Sequence, residues 1–150
     1  GYFSSGWLAD RFGAQRVTIV AVGLLVLCQL AFLYPGLPLP LLWVLFALFG
    51  YAGSFNVVML AQVRGLFPVH MSGRAITAVN MFGFAGTALL QWWMGLIINM
   101  FAPDAQGHYP VAAYSAAFAF TAVGTALVMA WYMTLPRPRT VSPATQSVAD

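Results

Sequence analysis

The chain is organised around the stretch Gly6-Trp7-Leu8-Ala9-Asp10-Arg11-Phe12-Gly13-Ala14-Gln15-Arg16, a dense cluster of charge that a long apolar run follows at once. The pattern predicts a tight polar turn between two membrane-spanning helices. Gly6 would let two backbones approach closely, and Gly13 would supply a conformation with positive φ. Asp10 could pair with a cation or with a helix N-terminus, whose dipole favours negative charge. Arg11 and Arg16 are expected to stay on the cytoplasmic side of the membrane.

The composition is that of an integral membrane protein. Of the 150 residues, 61% are hydrophobic and only 6% are charged, whereas soluble domains carry about 25% charged residues. The formal net charge is +3, but the arginines are scattered without a basic stripe, so no nucleic-acid partner is expected. Cys28, the single cysteine, has no partner for a disulfide or a metal site.

Four apolar runs follow, at residues 17–34, 41–63, 74–100 and 111–134. Each is about as long as a transmembrane helix requires, so the sequence predicts an all-α membrane protein with four spans. Residues 1–16 are predicted to be the end of a preceding helix plus a cytoplasmic loop. Residues 64–73 are predicted to be a polar loop, and residues 135–150 a disordered cytoplasmic tail.

The arginines indicate the orientation of the chain. All six fall in loops and a tail that four spans would place on one side of the membrane: Arg11, Arg16, Arg64, Arg74, Arg137 and Arg139. The positive-inside rule assigns that side to the cytoplasm. We therefore expect a cytoplasmic C-terminus, in a bacterial inner membrane. The chain lacks an initial Met and opens partway into a motif, so we also expect an upstream part.

The spans contain uncharged polar residues but no ionisable group well inside them. A proton relay through a carboxylate is therefore not expected within these helices. At about 100° per residue, Thr77, Asn80, Thr87 and Gln91 fall within an arc of about 80° on the third span. This stripe is either a wall of a water-filled cavity that contacts substrate or a set of helix–helix hydrogen bonds.

Signals for an enzyme are poor. His70 and His108 are assigned to loops on opposite sides of the membrane, and neither is expected to have a carboxylate or cysteine at metal-ligand spacing. The serines lack a recognisable base, and no glycine-rich phosphate loop follows a strand. We expect no catalytic residue, no metal site and no cofactor.

The G-x-x-x-D-R-x-G pattern of Gly6, Asp10, Arg11 and Gly13, together with Arg16, resembles the signature loop of the major facilitator superfamily. In that family the loop joins the second and third helices of each six-helix half. The pattern departs at Ala14, where the family usually has Arg or Lys. Residues 73–80 and 91–95 look like the family's eleventh helix. The resemblance covers residues 1 to about 135 and implies helices nine to twelve of a twelve-helix transporter.

The resemblance implies an alternating-access transporter of a small solute, with a small-molecule substrate, the lipid bilayer and a missing N-terminal half as partners. Helices ten and eleven of the family border the cavity, which favours Tyr51, Ser54, Asn80, Thr87 and Gln91 as substrate contacts, with Thr77 in the same stripe. The loop with Asp10 would latch helix ends across the two halves. The alternative is a self-contained four-helix membrane protein that acts as an oligomeric carrier or an assembly factor.

Overall fold

The computed structural model describes residues 1–135, which form helices and no strands. Residues 136–150, nearly all of the predicted tail, lie outside the described part. The six helices are α1 (Tyr2–Phe12), α2 (Ala14–Ala31), α3 (Leu39–Gly53), α4 (Asn56–Leu66), α5 (Val69–Asn99) and α6 (Val111–Thr134). Four stretches are long and apolar enough to cross a membrane, namely α2, α3 with α4, α5, and α6. The prediction of an all-α membrane protein with four spans is confirmed.

The charged stretch near the N-terminus is mostly helical rather than a loop. Helix α1 continues through Asp10 and Arg11, because no proline occurs between Tyr2 and Phe12. The turn is confined to Gly13, with φ 88° and ψ 134°, whose N–H donates to the carbonyl of Ala9 at 2.9 Å. The predicted positive φ at Gly13 is confirmed, and the predicted loop over the preceding residues is wrong.

The second span is interrupted. Helix α3 ends at Gly53, and α4 begins at Asn56. Glycine disfavours the helix here, and the Ser54 hydroxyl donates to the carbonyl of Tyr51 at 2.6 Å. That bond satisfies a carbonyl that a continuous helix would have used, so the helix is interrupted at residues 54–55 within one candidate membrane span.

The predicted polar loop at residues 64–73 is wrong. Helix α4 extends to Leu66 and α5 begins at Val69, so the connection is Phe67 and Pro68 alone. A residue before proline is restricted to extended conformations, and Phe67 has φ −118° and ψ 148°. Pro68 then directly precedes α5 as its N-cap, where its missing N–H leaves no helical hydrogen bond unmade.

Helix α2 is central in the described part of the chain, since it packs against α1, α3, α4 and α6. Val17 and Ala21 of α2 form a buried cluster with Phe55 and Val58. Helix α5 instead packs on α4 and α6 and has no buried residue. Most of the surface of α5 is therefore exposed.

Candidate functional site

The polar stripe of α5 divides into two kinds of side chain. All four members are exposed, but the two threonine hydroxyls bond to their own helix. Thr77 donates to the carbonyl of Gly73 at 3.0 Å, and Thr87 donates to that of Gly83 at 2.9 Å. Within residues 1–135 no hydrogen bond involves the side-chain amides of Asn80 or Gln91. The stripe therefore offers two unpaired amides rather than four equivalent polar groups.

One aromatic side chain lies within the stripe, and others hold α5 at its opposite side and its end. Phe84 lies within the arc of the stripe and is 78% exposed. Trp93 lies on the part of α5 that meets α6, with its ring centroid 6.4 Å from that of Phe120. At the far end of α5, the Tyr109 hydroxyl donates to Asn99 Oδ1 at 2.7 Å. The amides thus lie on a helix that is held at its sides and end while the stripe stays uncovered.

Tyr51 and Ser54 lie in different surroundings from the stripe. The Tyr51 hydroxyl is 2.9 Å from Ser4 Oγ on α1, and the Tyr51 ring is 5.3 Å from that of Phe55. Ser54 bonds to the carbonyl of Tyr51. Among the described residues, no hydrogen bond or aromatic contact joins this pair to α5. The six predicted cavity residues therefore form two separate groups, one beside α1 and one on α5.

The predicted gating residues lie at one hairpin. The Arg11 guanidinium stacks 5.3 Å from the Trp7 ring centroid and 5.8 Å from that of Phe12. Asp10 is exposed in the last turn of α1 and makes no ion pair within residues 1–135. That position is unfavourable, because the C-terminal end of a helix dipole repels negative charge. Arg16 is exposed in the first turn of α2.

Gly6 does not serve a close approach of two backbones within the described residues. Apart from the neighbouring residues and backbone of α1 itself, no heavy atom in the described part of the chain lies within 4 Å of a Cβ built at this position. Gly6 lies in the interior of α1, where its lack of a side chain lowers helix propensity. No close approach at Gly6 is made within residues 1–135, and its role in packing against another segment stays a prediction.

Three helices are joined by a hydrogen-bonded chain that the sequence did not reveal. Gln62 Nε2 on α4 donates to Thr18 Oγ1 on α2 at 3.3 Å, and the Tyr132 hydroxyl on α6 donates to Gln62 Oε1 at 2.8 Å. Thr18 itself donates to the carbonyl of Ala14 at 2.9 Å. The sequence offered one signal for this chain of hydrogen bonds. Thr18, Gln62 and Tyr132 are uncharged polar residues, and each lies near the end of a span that is followed or preceded by arginine.

The loop before α6 is built around Asp104. Its Oδ1 accepts the N–H groups of Gln106 and His108 at 2.9 and 2.8 Å, and its Oδ2 is 3.4 Å from His108 Nδ1. His108 therefore has a carboxylate neighbour four residues away, a contact that the sequence analysis did not anticipate. The bond from the backbone N–H of His108 is the main cause that lowers the pKa of Asp104 from its usual value. Across residues 1–135 no group of three potential metal ligands occurs.

Comparison with known proteins gives one match. The sequence model of the Major Facilitator Superfamily matches residues 1–149, which include the charged hairpin and the stripe on α5. No curated protein and no solved structure matches the chain. The family match agrees with the resemblance carried by the charged stretch at the N-terminus.

Proposed function

The chain belongs to the major facilitator superfamily, whose members are membrane transporters, and on that premise we propose that it forms helices nine to twelve of a secondary transporter. In this proposal the whole protein has twelve helices and moves a small solute by alternating access between two six-helix halves. Transporters of this family are generally not enzymes, and we propose no catalytic role for any residue of the chain.

The observation that carries the proposal is the pair of unpaired amides on α5. An amide left unpaired in hydrocarbon is costly, because lipid offers it no hydrogen bond. A water-filled cavity removes that cost and lets Asn80 and Gln91 present both donors and acceptors to a solute. The amides carry no charge and suit the hydroxyl, carbonyl or amide groups of such a solute. Thr77, Thr87, Tyr51 and Ser54 are proposed as the flanking wall.

The proposed gate is the hairpin of Gly6, Asp10, Arg11, Gly13 and Arg16. Its support is the exposed Asp10 carboxylate, which lacks a cation partner in residues 1–135 and occupies an unfavourable helix end. A partner from the other half would neutralise that carboxylate in one of the two transport states. Asp10→Asn should then shift the inward/outward balance, measured as accessibility of introduced cysteines from the cytoplasm. Unchanged accessibility would leave the hairpin as a connector only.

The proposed orientation places this hairpin and the Phe67–Pro68 connection in the cytoplasm of a bacterial cell, with the C-terminus on the same side. Its support is the position of Arg11, Arg16, Arg64 and Arg74, which all lie at helix ends beside these two connections. Positive charge beside short connections is retained on the cytoplasmic side.

Cysteine labelling tests the cavity assignment without knowledge of the substrate. In full-length protein with Cys28→Ala, we expect Asn80→Cys and Gln91→Cys to react with a membrane-impermeant maleimide, because thiolates form in water. Leu89→Cys is the matched control, since Leu89 is exposed on the opposite side of α5 and would face lipid. Equal reactivity at Asn80 and Leu89 would refute the cavity and favour helix–helix hydrogen bonding.

A further inference from the structure

A groove of about 380 Å³ lies between α1 and α2 and meets the end of α3. Ala52 and Phe55 form its bottom and are almost fully buried, at 2% and 6% exposure. Val20 and Phe12 line its rim and are 71% and 51% exposed. The groove is therefore a cleft in the surface of the helical hairpin, open along one side.

The walls of the groove are apolar, and one end carries a charge. Arg16 is the only charged residue in its lining, and it lies in the first turn of α2, beside the Gly13 turn. Arg16 makes no ion pair within the described residues. Tyr51, the other polar lining residue, already has its hydroxyl beside Ser4 Oγ. The groove thus combines an apolar channel along α2 with one available cation at the membrane surface.

We infer that this groove binds an anionic phospholipid. One acyl chain lies along the apolar walls, and the Arg16 guanidinium holds the phosphate. Guanidinium groups match phosphate with paired, charge-assisted hydrogen bonds. Basic residues at the cytoplasmic ends of membrane helices bind anionic headgroups in this way. The charge complementarity selects an anionic lipid over a zwitterionic one, whose own cation competes with Arg16.

A second groove provides the internal comparison. It has a volume of about 370 Å³ and lies between α2 and α6, with a lining that contains threonines and Tyr132 but no charged residue. Its hydroxyls at Thr18, Thr121 and Thr125 donate to carbonyls of their own helices. This groove should accept an acyl chain without regard to headgroup, so of the two grooves only the hairpin groove should select an anionic lipid.

Native mass spectrometry of the full-length protein in a neutral detergent tests the headgroup contact. The probes are phosphatidylglycerol and phosphatidylcholine with identical acyl chains, and the readout is the affinity of the tightest-bound lipid. Arg16→Gln should weaken phosphatidylglycerol binding about tenfold, the size of one charge-assisted hydrogen bond, and weaken phosphatidylcholine binding less, because the choline cation already competes for that phosphate. Arg74→Gln removes an exposed arginine outside the groove and should change neither affinity. Equal losses in both variants would overturn the inference.

Filling the hairpin groove with a large side chain tests whether its apolar walls bind the acyl chain. Val20→Trp places a large side chain at the exposed rim and should reduce binding of both lipids at the tightest site. Val123→Trp is the control, because Val123 is 59% exposed on α6 and lines neither groove. Wild-type phosphatidylglycerol affinity in Val20→Trp would overturn the groove assignment. Neither measurement depends on transport, so the inference stands or falls independently of the proposed function.

Discussion

Loss of the Tyr132 hydroxyl should measurably destabilise the bundle, because this group ties α6 to α4. It donates to Gln62 Oε1 at 2.8 Å in a half-buried position. Hydrogen bonds between membrane helices contribute about 0.6 kcal/mol on average and up to about 1.7 kcal/mol. The bond is short, so we expect Tyr132→Phe to lower the free energy of unfolding by about 1 kcal/mol. The bond from Gln62 to Thr18 is long, at 3.3 Å, and should contribute less.

A double-mutant cycle isolates this contribution. The variants are Tyr132→Phe, Gln62→Leu and the pair, and the free energy of unfolding is measured by steric trapping of the full-length protein in detergent. The coupling energy should be about 0.6–1.7 kcal/mol. Tyr114→Phe is the matched control on α6, because Tyr114 is 47% exposed and its hydroxyl has no hydrogen bond in residues 1–135. A coupling energy within error of zero, or an equal loss in the control, would refute the reasoning.

Three further predictions concern the stripe, the hairpin and the loop before α6. Asn80→Ala should reduce solute uptake at unchanged membrane abundance, whereas Leu89→Ala on the opposite side of α5 should not; uptake per transporter, from a western-blot-normalised assay, decides between them. Gly13→Ala should lower the free energy of unfolding by about 1–3 kcal/mol, because a side chain is strained at φ 88°; thermal denaturation against Gly6→Ala, which should be neutral or stabilising, checks the cause. The lowered pKa of Asp104 means that its stabilisation is complete above the unfolded value of about 3.9 and is lost as the pH falls through the folded value. The protection factors of its two bound amides, which are corrected for the intrinsic pH dependence of exchange, should therefore stay constant around neutral pH and fall only in acid, and a fall near pH 6 would contradict the assignment.

Hydropathy predicted the spans because membrane insertion depends on local composition. The predicted ends of the helices were less accurate wherever a single residue determines where a helix stops. The charged stretch around Asp10 was predicted as a loop, yet it continues a helix, because Asp and Arg are tolerated in a last turn at the membrane surface. The break at Ser54 depends on one hydroxyl that reaches back to a carbonyl. Hydropathy averages over such contacts and does not detect them.

For the polar stripe of α5, the sequence predicted only which face of the helix its residues share. Helical periodicity placed Thr87 and Asn80 on one face, and the structure keeps both exposed. Helical periodicity does not reveal that the Thr87 hydroxyl is already bonded within α5, because that bond depends on the side-chain rotamer. The pairing of Gln62 with Tyr132 joins positions 70 residues apart. Such pairing depends on which helices pack together. The periodicity of a single sequence does not indicate this.

The central position of α2 has a consequence for the synthesis and membrane insertion of the chain. Helix α2 leaves the ribosome before α3, α4, α5 and α6, yet Tyr132, the last member of its polar chain, lies on α6, which is made after the other three. Translation at about 5–20 residues per second separates Thr18 from Tyr132 by on the order of 10 s. Through that interval α2 lacks its neighbours α4 and α6, so Thr18 is without the cover that Gln62 and Tyr132 later supply. Substitutions that make the nascent helix more polar would therefore be lost to membrane quality control before the finished bundle could tolerate them.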